Sequence, residues 1–279
     1  STPQITNLLN LAPLPTRALK NSLFESALYP QFSHFNPIQT QMFHTLYHSD
    51  ENILCGAPTG SGKTVIAELA ILRLFNKGQG KVVYIAPMKA LSRERIKDWS
   101  RRIGGKLGKS VVELTGDVSP DMQALERADI IVTTPEKWDG VSRSWQSRKY
   151  VRQVALVVID EVHLLGQERG AVLEMIVSRM NLIRQNAVSH EKISAVPTTR
   201  FVALSTALAN SSEIADWLSV TGMYNFKPSV RPVPMTCHVQ GFSERNYCPR
   251  MATMNKPCLL AISQYSPTKP VIIFVSSRR

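Results

Sequence analysis

Cysteine is scarce in this chain. Its four residues, at 55, 237, 248 and 258, show neither the close pairing of a disulfide framework nor metal-ligand spacing, which excludes both kinds of small stapled module and favours a reducing compartment. Long apolar runs are also missing. Nothing approaches the roughly 20 apolar residues needed for a membrane-spanning helix, so no membrane partner is expected. The N-terminus, Ser1-Thr2-Pro3-Gln4, lacks the charged-then-apolar pattern of a secretory leader, and an intracellular, soluble protein is expected. The triplet Asn210-Ser211-Ser212 is therefore read as a chance sequon. Low-complexity segments and internal repeats are absent. Disorder is excluded as the main state, because 43% of the 279 residues are hydrophobic.

Acidic residues are outnumbered, 21 against 33 basic ones, for a formal charge of +12. Such a surplus attracts polyanions over long range. It is concentrated in two stretches. Lys89, Arg93, Arg95, Lys97, Arg101, Arg102, Lys106 and Lys109 stand against Glu94 and Asp98, and the chain from Lys227 onward carries Glu244 as its sole acid. Charge alone fits a solvated helix face and an exposed tail equally well.

Short β-branched runs alternate with longer helical stretches. The candidate strands are 53–55, 81–86, 130–133, 154–159, 201–205 and 271–275. They are almost wholly apolar rather than alternating, the signature of strands buried on both faces of a parallel sheet. Val65, Leu69 and Leu72 at i, i+4 and i+7 mark one of the intervening helices. The expected fold is α/β, a doubly wound and mostly parallel sheet, with ligands at the carboxyl ends of the strands. Three prolines within Lys227–Pro234 read as a linker. The chain ends at Arg278-Arg279, just after a strand that should feed a further helix, which predicts a fragment.

Gly56-Ala57-Pro58-Thr59-Gly60-Ser61-Gly62-Lys63-Thr64 follows an apolar strand and opens an amphipathic helix. Its glycines let backbone N–H groups converge on phosphate oxygens at a positive helix terminus. Lys63 can reach the outer phosphates and the Thr64 hydroxyl can ligate Mg²⁺. The strict motif has Gly where Ala57 stands, and a glycine-rich turn that merely opens a helix is the plain alternative. Asp160-Glu161-Val162-His163 follows the most apolar strand. Two carboxylates at a buried strand end are costly unless they meet a cation. Asp160 is thus placed to hold Mg²⁺ and Glu161 to accept a proton from the attacking water; alone, the pair is equally a helix cap.

The ordered set Phe35 to Gln39, Ala57 to Thr64, Ala86-Pro87-Met88-Lys89-Ala90-Leu91, Leu114-Thr115-Gly116-Asp117, Thr133 to Asp139, Asp160 to His163 and Ser205-Thr206-Ala207 resembles the first RecA lobe of superfamily 2 helicases, in which Ala at position 57 is usual. The DEVH sequence and the Thr133 to Asp139 stretch are similar to the Ski-type class. Trp138 to Trp145 and Leu204 to Asn210 resemble the second cassette of the two-cassette helicases that serve in signal-cointegrator and ribosome-quality-control complexes.

The resemblance implies a RecA-like P-loop NTPase lobe over 34–227, preceded by an extension over 1–33 and followed, over 228–279, by a linker and the truncated start of a second RecA-like lobe. It implies an ATP-dependent, 3′-to-5′ nucleic-acid helicase of nucleus or cytoplasm, using ATP and Mg²⁺, and acting with the rest of its cassette in a multiprotein complex. Lys63, Asp160, Glu161 and His163 would be catalytic. Gln39, reading the adenine edge, and Thr59, Gly60, Ser61, Gly62, Lys63 and Thr64 would bind nucleotide. Thr64 and Asp160 would hold the metal. His163 would link the nucleotide to Ser205 and Thr206. Three strand-end loops, with Pro87 and Lys89, Thr115 and Gly116, and Thr134, Pro135 and Lys137, would contact a single-stranded or partly duplex RNA or DNA through its backbone, without reading sequence. From the residues alone Thr115 and Thr134 are as readily helix caps, and the tryptophans at 99, 138, 145 and 217 read as core packing. Two other readings remain: a nucleotide-regulated docking platform, disfavoured by the intact Lys63, Asp160 and Glu161, and a protein-remodelling ATPase, disfavoured by the basic balance.

Overall fold

A computed structural model describes residues 5–78, 80–163, 170–190, 199–209 and 211–275; Asn210 of the triplet lies outside them. The chain divides into two compact units, Ser1–Pro234 and Met235–Arg279.

The first unit is built on seven strands: β1 Ile53–Gly56, β2 Lys81–Ile85, β3 Val111–Leu114, β4 Ile130–Thr133, β5 Val154–Ile159, β6 Arg200–Ser205 and β7 Gly222–Asn225. Their order is β3-β4-β2-β5-β6-β1-β7, and every neighbouring pair is parallel. The central strands are buried at every position, as their unbroken apolar runs require. The two strands that the apolar pattern does not announce, β3 and β7, are the sheet edges. Each is only partly buried, and one contains Glu113 while the other opens on Gly222 and closes on Asn225, residues that weaken a strand signal.

Helices cover both faces: α1 Ser22–Leu28, α2 Pro37–Tyr47, α3 Lys63–Lys77, α4 Lys89–Trp99, α5 Gly105–Leu107, α6 Met122–Arg127, α7 Pro135–Ser142, α8 Lys149–Arg152, α9 Gly170–His190 and α10 Ser211–Trp217. Alternate strand residues point to opposite faces. Cys55, Tyr84, Val158 and Leu204 therefore join α2, α3 and Trp99 in one core. Leu54, Val83, Ile159 and Ala203 join Trp138 and the α9 residues Leu173, Ile176 and Met180 in the other. The segment ahead of α2 belongs to the first core through Leu19, Phe24 and Leu28. Trp99 and Trp138 are fully buried, and Trp145 and Trp217 pack against the second core.

Glu68 of α3 is 1% exposed. It accepts from Trp99 Nε1 at 3.0 Å and Arg102 Nη2 at 2.5 Å. Both donors meet Oε1, and the buried Oε2 finds no hydrogen-bond partner among the described residues; the paired cation makes the buried charge tolerable, and the contact fastens the phosphate-loop helix to the basic helix α4.

In the second unit α11, Tyr247–Tyr265, is the one helix among the described residues. The strand expected at 271–275 does not form: those residues carry no regular secondary structure. An apolar run becomes a strand only where a neighbour accepts its ladder hydrogen bonds, and the unit supplies none among the described residues.

Candidate nucleotide and nucleic-acid site

The parallel register aligns strand ends. Gly56 lies opposite both Ser205 and Asn225, and Ile85 opposite Ile159, so the loops after β1, β2, β5 and β6 leave from one edge of the sheet. The phosphate loop runs from Ala57 to the start of α3 at Lys63. Asn36 and Gln39 shape it. Asn36 caps α2 in a reciprocal capping box with Gln39, ahead of Pro37. Their remaining amide donors reach across the chain, Asn36 Nδ2 to Ser61 O at 2.8 Å and Gln39 Nε2 to Gly62 O at 3.2 Å. Gly62 has φ +85°, and a Cβ there would lie 2.3 Å from Gln39 Nε2, so glycine is required twice over. The family resemblance implied an adenine contact for Gln39. The structure places it 5% exposed, with its side-chain oxygen on Asn36 N–H and its nitrogen on the loop.

Lys63 folds over the loop, its Nζ donating to Ala57 O at 2.9 Å and Pro58 O at 3.5 Å. Carbonyls satisfy its protons but not its charge, which is what a lysine awaiting an anion requires. Ser61 is wholly buried and its Oγ has no hydrogen-bond partner.

Across β6 stands the acidic pair. Asp160 Oδ2 accepts a short hydrogen bond from the Tyr84 hydroxyl, and Oδ1 accepts from Glu161 N–H at 3.0 Å. Each oxygen keeps further acceptor capacity. Burial first, and the Asp160 carboxylate second, push the Tyr84 phenol well above its ordinary pKa, so it stays a donor. Glu161 takes a left-handed φ of 53°, a strained conformation for a residue with a Cβ. Its buried Oε2 makes no hydrogen bond and lies 3.3 Å from His163 Nδ1. The same nitrogen is 3.2 Å from Ser205 Oγ, and Ser205 O accepts from Ala57 N–H at 3.0 Å. Phosphate loop, Ser205, His163 and Glu161 thus form one chain of contacts across three strands. Thr206, beside Ser205, contributes a carbonyl 3.2 Å from where a Cβ on Gly56 would sit.

Asn225, which the sequence reading missed, holds the neighbouring loop. Its side chain both accepts from Leu208 N–H at 3.0 Å and donates to Leu208 O at 2.8 Å. Its Oδ1 would lie 2.5 Å from a Cβ on Gly56, and its backbone exchanges hydrogen bonds of 2.8 Å with Thr6.

The three loops proposed for nucleic acid converge. Lys89 Nζ and Arg93 Nη2 donate to the two oxygens of Asp117 at 2.6 and 2.7 Å. Lys137 Nζ donates to Ser119 Oγ at 2.7 Å. Gly116 is exposed against Lys89. Pro87, Thr115, Thr134 and Pro135 are buried instead, leaving Lys89, Gly116 and Lys137 as the accessible members. Neither threonine is a side-chain cap: Thr115 Oγ1 donates to Glu113 at 2.9 Å, and Thr134 holds the N-cap position of α7 without a capping bond.

Among the described residues no three His, Cys, Asp or Glu side chains group to bind a metal. A cation here would rest on the Asp160 carboxylate, the Thr64 hydroxyl, water and nucleotide phosphates. That donor set suits Mg²⁺, which keeps waters and uses few protein ligands. The cradle and its uncompensated Lys63 likewise fit a polyphosphate.

A parallel α/β sheet with a phosphate loop, an acidic pair and a serine–histidine link across one edge defines a RecA-like nucleotide-binding lobe. The family model for the DEAD/DEAH box helicase matches residues 36–214, and the chain belongs to that family, within its Ski-type class.

It is 63% identical over 280 residues to activating signal cointegrator 1 complex subunit 3 of Homo sapiens, which covers 99% of this chain and 12% of that protein. The protein of the same name from Danio rerio is 62% identical, over 99% of this chain and 18% of its own length. The DExH-box ATP-dependent RNA helicase DExH14 of Arabidopsis thaliana is 59% identical over 277 residues, covering 98% and 12%. The chain thus spans 12–18% of these relatives. Among solved structures, the DUF1998 helicase MrfA superposes with a TM-score of 0.65 over 96% of this chain and 39% of that one, at 19% identity, a likeness of fold.

Proposed function

We propose that this chain is the ATP-binding lobe of a motor that moves 3′-to-5′ along nucleic acid and separates duplexes, working with the rest of its cassette in a multiprotein complex of the nucleus or cytoplasm. The contact chain from Ala57 through Ser205 and His163 to Glu161 supports this reading above all, because it ties the phosphate cradle to the candidate base. Lys63 and the loop N–H groups would grip the phosphates, Thr64 and Asp160 would hold Mg²⁺, and Glu161 would take the proton of the attacking water. Magnesium would offset the charge of the transferring phosphoryl group. His163 would pass the state of the site to Ser205 and Thr206. Lys89, Gly116 and Lys137 would track a strand backbone, giving weak base preference and strong salt dependence.

In this reading residues 1–33 extend the lobe of 34–227, and 228–279 lead into a second lobe whose arginines complete hydrolysis. The chain alone should bind ATP–Mg²⁺ and hydrolyse it slowly; fast turnover stimulated by nucleic acid would contradict that. Titration with labelled ATP should show binding that Lys63→Ala weakens at least about 10-fold, the scale of one lost charge-assisted contact. In the full cassette Glu161→Gln should keep binding and lose single-turnover hydrolysis. Unimpaired hydrolysis by Glu161→Gln would sink the assignment of the base.

A further inference from the structure

The linker begins with a 3₁₀ turn, Pro228–Val230, in which Arg231 N–H donates to Pro228 O at 3.3 Å. Val230 packs against the first core. Pro232 follows, and a residue before proline is confined to extended backbone; Arg231 has φ −59° and ψ 125°. Anchored on one side and stiffened on the other, the turn aims one side chain. The Arg231 guanidinium reaches the phosphate loop, 172 positions back, and donates from Nε to Thr59 O at 2.9 Å. It lies along Gly60, where a Cβ would stand 3.1 Å from Nη2 and 3.2 Å from Nε.

The partners that Arg231 lacks are as telling. Nearby, Lys89 and Arg93 are paired with the Asp117 carboxylate, and Lys137 donates to the neutral Ser119 hydroxyl. Among the described residues Arg231 has no ion-pair partner, and its two Nη groups donate to none of them. Lys63, its neighbour on the loop, is equally uncompensated. Two cations held on carbonyls beside a cradle of N–H groups form a site for a multiply charged anion. A guanidinium tethered through Nε still presents a fork suited to phosphate oxygens.

We propose that Arg231 belongs to the nucleotide site and donates to a phosphate oxygen of the bound nucleotide, alongside Lys63. This rests on the reading of the loop as a nucleotide cradle. It gives the proline-rich linker a direct contact with the ligand, so that the segment leading out of the lobe senses whether the loop is filled.

The test is calorimetric titration of the full chain with ADP and Mg²⁺. Arg231→Gln should weaken binding about 10-fold, as loss of a charge-assisted contact does. Arg231→Lys should recover part of that loss, and the melting temperature without nucleotide should not move. ADP should also protect Arg231 of the wild-type chain from phenylglyoxal, read by mass spectrometry, which tests the contact without any variant. Equal or tighter ADP binding by Arg231→Gln, or equal labelling with and without ADP, would overturn this inference alone. Failure of the wild-type chain to bind ADP would overturn both the inference and the reading beneath it.

Discussion

The hydroxyl of Tyr84 lies on the carboxylate assigned to the metal, near the end of a strand that is apolar from Val82 to Ile85 but for that hydroxyl. Its ring is held independently, edge-on to Trp99 at 5.0 Å, so Tyr84→Phe should keep the packing and remove one hydrogen bond to a charged group. We expect a stability loss of about 1–2 kcal/mol, read from thermal melts, and a several-fold rise in the Mg²⁺ concentration needed for tight nucleotide binding, on the scale of about 1 kcal/mol. An unchanged Mg²⁺ requirement would reduce Tyr84 to core packing. Sequence gives no hint of this role, since a tyrosine in a buried strand reads as core. The same holds for Asn225, whose only local signal is a polar residue at a strand end. Cys55, by contrast, is as inert as its apolar strand suggests, burial having pushed its thiol up to about 12.

At the scale of elements, the basic helix α4 is a cation source held in check by one loop. Asp117, in the turn after β3, ties up Lys89 and Arg93 together. The Lys89 hydrogen bond, ahead of the Lys89 and Arg93 charges, keeps the Asp117 carboxyl below its ordinary range, so it remains charged near neutrality. Asp117→Asn should free both cations for phosphate. Affinity for single-stranded nucleic acid should rise, and the slope of log K against log salt should steepen by about 0.7 for each cation released. Fluorescence anisotropy at several salt concentrations measures both; an unaltered slope would show that α4 does not face the strand. The capping box at Asn36 and Gln39 joins partners three residues apart, but the family resemblance gave Gln39 an adenine contact instead. Its second duty, clamping the Ser61 and Gly62 carbonyls, was not legible, since that depends on where α2 packs. The edge strands β3 and β7 were hidden for a related reason: half-exposed strands carry little of the apolar run that marks the central ones.

The whole molecule has a pH dependence set by its paired carboxylates. Asp50 is held low by Arg73 and then Lys77, and Asp98 by Arg102. Burial would raise Asp139, but Arg143 and Arg179 together bring it down. Each is depressed relative to the unfolded chain, where an aspartate titrates near about 3.9. Their stabilisation is therefore complete above that value and lost as pH falls through the folded ones. These pairs alone leave the melting temperature level above about pH 5 and lower it below about pH 4, while His48, held below its ordinary value chiefly by burial, adds a decline that begins nearer neutrality. A level profile through that lower range would show that these pairs contribute nothing.

The sequence by itself determined the features that neighbours in the chain can encode: five buried strands, the phosphate loop opening α3, the acidic pair ending β5, and the membership of a helicase family that their order announced. These follow from short-range chemistry, in which glycine permits the turn, the loop presents its N–H groups and unbroken apolar runs demand burial on both faces. Tertiary structure alone decided that Thr115 and Thr134 face inward, that Tyr84 reaches Asp160 across 76 positions, and that Arg231 returns to the loop. Strand order and register set those meetings, and both are fixed by the joint packing of two cores rather than by any local run of residues.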